Sequence, residues 1–219
     1  MKFKSIHPWN LSPVQAINIQ KELRQSLESK KWVGMPRLIA GVDVAFRRDL
    51  ARGAVVVLDY PELKIIAQVR KCAKISYPYI PGLLTFREGP VLKKCFKALK
   101  IEPDIIIFDG QGIAHPRNMG IAAHMGILLD KPTIGCAKTW LYGKYKEPAK
   151  TQGAFSYLLD QKAKKIGAVL RTRDNVRPLF VSPGNKMDID SAVEVILMCT
   201  KRYRLPETIR LAHQLTEKD

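Results

Sequence analysis

The chain has 219 residues, 46% of them hydrophobic, and 37 Lys plus Arg outnumber 20 Asp plus Glu for a formal charge of +17. That length and apolar content support one domain over residues 1–219 with a proper core. So large a positive excess repels itself unless a polyanion relieves it, which makes nucleic acid the leading partner; a membrane is disfavoured because no 18-residue apolar span, signal-peptide core or basic amphipathic anchor is visible.

Ser12-Pro13-Val14-Gln15 combines an N-cap, a first-turn proline and a capping-box Gln, and Ala16, Ile19, Leu23 and Leu27 follow at helical spacing. A helix to about Ser29 is expected. After Pro36, stretches near Leu38 to Phe46, Gly53 to Leu58 and Lys64 to Ile75 read as an antiparallel meander. A helix with Val91, Leu92, Cys95, Phe96 and Leu99 on one face comes next. Ile105 to Phe108 is an apolar run short enough to be a strand buried on both faces. A helix from about Arg117 to Leu129 and a short strand, Thr133 to Cys136, continue the alternation; Ala168 to Arg171 and Leu179 to Val181 are further strand-like pieces. Ser191-Ala-Val-Glu194 fits a capping box opening a buried helix, and Arg204 to Thr216 reads as the last helix. A meander followed by alternating helices and parallel strands gives an α/β fold with a mixed sheet flanked by helices. Cys72, Cys95, Cys136 and Cys199 form no C-x-x-C pair and read as reduced core thiols of a cytoplasmic protein.

The buried run Ile105 to Phe108 stops on a carboxylate, Asp109, and period-2 alternation in Leu38 to Phe46 puts Asp43 in mid-strand beside Gly41 and Ala45. A half-desolvated carboxylate requires a proton, hydrogen bonds, a cation or a metal. If the two strands are neighbours, both carboxylates meet, and an oxygen-only site with room for water and phosphate suits Mg²⁺. Glu88 is a third candidate, although Thr85-Phe-Arg-Glu88 also spells a capping box; Pro90 argues against that box by falling one turn inside the helix it would open.

Taken in order, Gly41-Val-Asp43-Val-Ala45, Pro78-Tyr-Ile-Pro-Gly82, Phe86-Arg-Glu88, Asp109-Gly-Gln-Gly112, His115-Pro-Arg117, Gly135-Cys-Ala-Lys138 and Tyr203-Arg-Leu-Pro-Glu207 resemble the endonuclease V family over nearly the whole chain. The resemblance implies a ribonuclease H-like fold and a metal-dependent DNA repair endonuclease. Such an enzyme recognises deoxyinosine and hydrolyses the second phosphodiester bond 3′ to it, leaving 3′-hydroxyl and 5′-phosphate ends. It implies catalytic roles for Asp43, Glu88, Asp109, Lys138 and His213, with Asp43 and Asp109 as ligands of Mg²⁺, for which Mn²⁺ substitutes. Pro78, Tyr79, Ile80 and Pro81 correspond to a wedge, and two prolines give that tip the stiffness to enter a base stack. Gly82, Leu84, Gly110, Gly112 and Ile121 correspond to a lesion pocket. His115 stays outside the catalytic set, orienting its loop or facing DNA. The implied protein is a monomer whose partner is DNA containing deoxyinosine. Alternatives are an inosine-specific endoribonuclease and a basic nucleic-acid-binding protein without catalysis. Two positions differ from common relatives: Gln111, where some have His, and Cys136, where Val is frequent. Gln111 removes a histidine role at that point.

Overall fold

The computed structural model describes residues 1–218. Across them runs an 8-stranded mixed sheet in the order β3-β2-β1-β4-β5-β8-β7-β6. The meander is β1 (Leu38–Arg47), β2 (Leu50–Asp59) and β3 (Ile65–Lys74), antiparallel throughout. β4 (Ile105–Phe108) lies parallel to β1 on one side and to β5 (Thr133–Ala137) on the other. An antiparallel extension of β8 (Leu179–Pro183), β7 (Lys165–Leu170) and β6 (Phe155–Leu159) completes it. This is the expected ribonuclease H-like arrangement.

The helices are α1 (Pro13–Leu23), α2 (Leu84–Ala98), α3 (Ile121–Leu129), α4 (Ile189–Met198) and α5 (Glu207–Glu217). None is long and apolar enough to cross a membrane. Alternation along the central strands divides the core. Ile39, Ile105 and Ile107 pack with Ile196, Ile209 and Ala212 of α4 and α5, whereas Ala40, Val42, Ile106 and Phe108 pack with Val91, Leu92 and Phe96 of α2 and Met125 of α3. Two covered faces explain why β4 is apolar at every position, each buried Ile contributing about 2 kcal/mol.

Several local expectations shift. The Ser12 capping box forms as read, but α1 stops at Leu23 and a 3-10 turn, Arg24–Ser26, follows. The Ser191 box does not form: Asp188 is the N-cap, accepting from the Ser191 backbone N–H, while Ser191 Oγ accepts from Trp32 N at 3.0 Å. α5 begins at Glu207, after Pro206, rather than at Arg204. β6, absent from the sequence reading, is an edge strand. Cys72 is exposed on β3, so three of the four thiols, not all, are core residues.

The N-terminal segment locks α2 against α3. His7 Nε2 lies 2.7 Å from Nε2 of the fully buried His124, so the two rings share one proton, and Trp9 stacks on His124. Gly89 lets Trp9 seat there, since a Cβ would stand 2.1 Å from its ring. Burial lowers both imidazole pKa values, that of His124 to about 3. A histidine depressed on folding leaves stability intact above its unfolded value of 6.5, and the contribution disappears as pH falls from there toward 3. The unfolding free energy from urea titration should therefore drop by roughly 3 kcal/mol between neutrality and about pH 4, and His124→Phe should flatten that dependence. An equally steep acid profile in the variant would refute the assignment.

Candidate active site

The parallel register of β1 and β4 ends at Val42 opposite Phe108, and Asp109 N donates to Val42 O at 3.0 Å. Asp43 and Asp109 therefore follow the last pair side by side on strands about 4.8 Å apart. Alternation points both toward the α5 face. Gly41 allows α5 to approach, because a Cβ there would lie 2.1 Å from the Thr208 carbonyl oxygen. That approach delivers His213, whose Nδ1–H donates to Asp43 Oδ2 at 2.9 Å, and Thr216, whose hydroxyl reaches the same oxygen at 3.3 Å. Thr216 sits three residues beyond His213 on the same helix face, the only sequence clue to its part.

On the other side, Lys138, just past β5, forms an ion pair with Asp109. Arg204 holds that loop by donating to the Lys138 and Pro178 carbonyls at 3.2 and 2.8 Å. Burial raises the Asp109 pKa against the pull of Lys138, with Asp43 adding to the rise. Glu88 is the fifth residue of α2, whose N-cap is Leu83 without a side-chain cap, so the capping-box reading fails. The helix runs on through Pro90, which has no N–H for the Phe86 carbonyl. Burial first, then Asp43 and Asp109, push the Glu88 carboxyl well above the usual range. All five sequence-derived catalytic candidates thus converge on one corner of the sheet.

Their chemistry fits a hard cation. Three carboxyl groups so close resist simultaneous ionisation unless positive charge joins them. Among the described residues no set of three or more His, Cys, Asp or Glu side chains forms a ready-made cage.

Beside this corner the Pro78–Pro81 tip projects, with Tyr79 68% exposed. Its base is pinned at Gly82, whose carbonyl accepts from Gln20 Nε2 at 3.0 Å, His115 Nε2 at 3.0 Å and Arg117 Nη2 at 2.7 Å. Gly82 has φ +80°, and a Cβ would stand 2.6 Å from Arg117 Nη2. His115 is buried and its pKa falls to about 4, so as a neutral ring it donates through Nε2 and accepts the Arg117 N–H at Nδ1. It orients the loop. A cavity of about 100 Å³ opens next to the tip, with Gly82, Leu84 and Ile121 in its wall. Gly110 and Gly112 are not in that wall: Gly110 abuts the Ile121 side chain, and Gly112 faces the Pro183 carbonyl and donates its N–H to Ser182 Oγ at 2.8 Å.

A ribonuclease H-like sheet bearing a carboxylate cluster at its neighbouring strands β1 and β4, in so basic a chain, defines a nuclease of that structural class. Within it, the chain belongs to the endonuclease V family, whose model matches residues 18–214. An endonuclease V of Methanothrix thermoacetophila is 47% identical, the match covering 100% of this chain and 96% of that protein. The Streptomyces avermitilis endonuclease V structure superposes with a TM-score of 0.90 at 38% identity, covering 99% of this chain and 96% of that one. A Ciona intestinalis endonuclease V, solved with a 24mer DNA containing an inosine followed by a ribo-adenosine, gives 0.82 at 26% identity, covering 93% and 95% of the two chains.

Proposed function

We propose that the protein is a DNA repair endonuclease that hydrolyses the second phosphodiester bond 3′ to deoxyinosine, leaving 3′-hydroxyl and 5′-phosphate ends. The observation carrying this reading is the side-by-side placement of Asp43 and Asp109 with Glu88 behind them. Asp43 and Asp109 would hold Mg²⁺ or Mn²⁺, with Glu88 ligating it or orienting its water. When bound, the cation supplies an activated water and stabilises the leaving oxygen. Lys138 neutralises charge at the scissile phosphate. His213, fixed by donating from Nδ1 to Asp43, keeps Nε2 to hold or move a proton. Tyr79 and Ile80 wedge into the stack vacated by a flipped base, which the cavity beside Gly82, Leu84 and Ile121 receives. Gly110 and Gly112 serve this site by letting the Asp109 loop and its neighbours approach closely. The free thiols suit a reducing compartment, so we place the enzyme in the cytoplasm, acting as a monomer.

A labelled duplex with one deoxyinosine tests the reading. Nicking in Mg²⁺, its loss in EDTA and an intact undamaged control are expected. Binding without strand loss would instead identify a non-catalytic binding protein. Tyr79→Ala should lose about tenfold in preference for inosine over undamaged duplex, and equal selectivity would remove the wedge. An inosine-directed ribonuclease is a second reading, favoured by the ribo-adenosine after inosine in the Ciona complex. Cleavage of matched DNA and RNA strands separates the two.

A further inference from the structure

One residue in the wall of the cavity beside the wedge carries an acceptor with nothing to accept. Gln111 lines it, is 8% exposed, and donates from Nε2 to the Thr139 carbonyl at 3.1 Å. That bond fixes the amide orientation, because a flipped amide would set two oxygens against each other. Gln111 Oε1 is then buried without a hydrogen-bond partner. Three other described side-chain atoms share that condition, on Tyr77, His124 and Thr208, and none of those residues lines this cavity. A buried orphan oxygen is unfavourable to maintain, and on a residue that lines a cavity it is available to a donor on a ligand.

We propose that Gln111 is a specificity-determining residue whose Oε1 accepts the ring N–H of the base held in this cavity. The proposal rests on the deoxyinosine reading above and deepens it. Two helices begin at the cavity: Leu84 and Thr85 open α2, and Gly120 and Ile121 open α3. First-turn N–H groups have no partner within their helix and carry partial positive charge, which suits a keto oxygen. The Gly82 carbonyl, the obvious backbone acceptor, is already occupied by three donors. Donors for a keto oxygen beside one acceptor for a ring N–H complement the lactam edge of hypoxanthine. Adenine presents the inverse pattern, an amino donor and a bare ring nitrogen, and would set that nitrogen against Gln111 Oε1. Because the same amide holds Thr139, next to Lys138, the reader of the base also touches the loop carrying a proposed catalytic lysine.

Fluorescence anisotropy in EDTA, with oligonucleotides bearing inosine, adenine or N1-methylated hypoxanthine at one position, isolates reading from cleavage. The parent should prefer inosine, and the N1-methylated base should bind no better than adenine. Gln111→Met should cut the inosine-to-adenine affinity ratio about tenfold, with affinity for the adenine strand held or raised. A parent that discriminates, with a Met variant of equal ratio, overturns the role of Gln111 and leaves the proposed function standing. Uniform weakening toward every strand shows a structural tie to Thr139 instead and also overturns it. N1-methylated hypoxanthine bound as tightly as inosine does so without recourse to any variant. A parent blind to inosine overturns both readings.

Discussion

Asp43→Asn and Asp109→Asn should each lose roughly 1000-fold or more of nicking on a deoxyinosine duplex in Mg²⁺, about 4 kcal/mol of barrier, while remaining folded. Both substitutions keep shape and remove charge. In Asp43→Asn the amide can still accept from His213 and Thr216, so the α5 contacts survive, whereas a neutral oxygen is a far weaker ligand for a hard cation. In Asp109→Asn the ion pair with Lys138 is lost as well. Thermal stability should hold or rise slightly, because one member of a crowded carboxylate group has been neutralised. Loss of activity with an unchanged melting temperature is the signature of the proposed site. Undiminished nicking by either variant would sink it.

Gly41→Ala should be the most damaging small substitution in the sheet. Its Cβ would meet the Thr208 carbonyl oxygen at 2.1 Å and Thr208 Cβ at 2.8 Å. Backbone cannot swing aside as a side-chain tip can, so α5 has to lift from β1. Overpacking of this kind costs about 3 kcal/mol, which for a chain of this size lowers Tm by roughly 6–12 °C. The lift also draws His213 and Thr216 from Asp43, so residual activity should fall beyond what unfolding explains. Gly53→Ala on β2 is the contrast: its Cβ would meet only the side chains of Cys95 and Val91 at 3.2 Å, and the effect should be smaller. Equal melting temperatures for Gly41→Ala and the parent would show that α5 is not seated by this contact.

The central carboxylates were legible because their strands announce themselves: an all-apolar run ending on Asp109 and an alternating one containing Asp43. Their adjacency required the fold. Glu88 was ambiguous because Thr85 to Glu88 obeys the spelling of a capping box, and only the start of α2 at Leu84 rules that out. The helices expected near Ser191 and Arg204 begin elsewhere because Asp188 caps α4 with its side chain and Pro206 precedes the first residue of α5. β6 was missed since an edge strand with Phe155 40% exposed lacks the burial pattern that marks the others. Gly112 reads like any loop glycine, yet what it accommodates is a carbonyl 71 residues away, at Pro183. Gln111, Thr216 and Arg204 owe their roles to partners that no local spacing encodes.

The bond from His213 to Asp43 spans 170 residues of chain. During synthesis, β1 leaves the ribosome long before α5, so Asp43 spends most of translation without the two groups that orient its side chain. A nascent or C-terminally clipped chain can assemble much of the sheet and still lack the completed corner. Completion of the corner is thereby tied to the docking of the last helix.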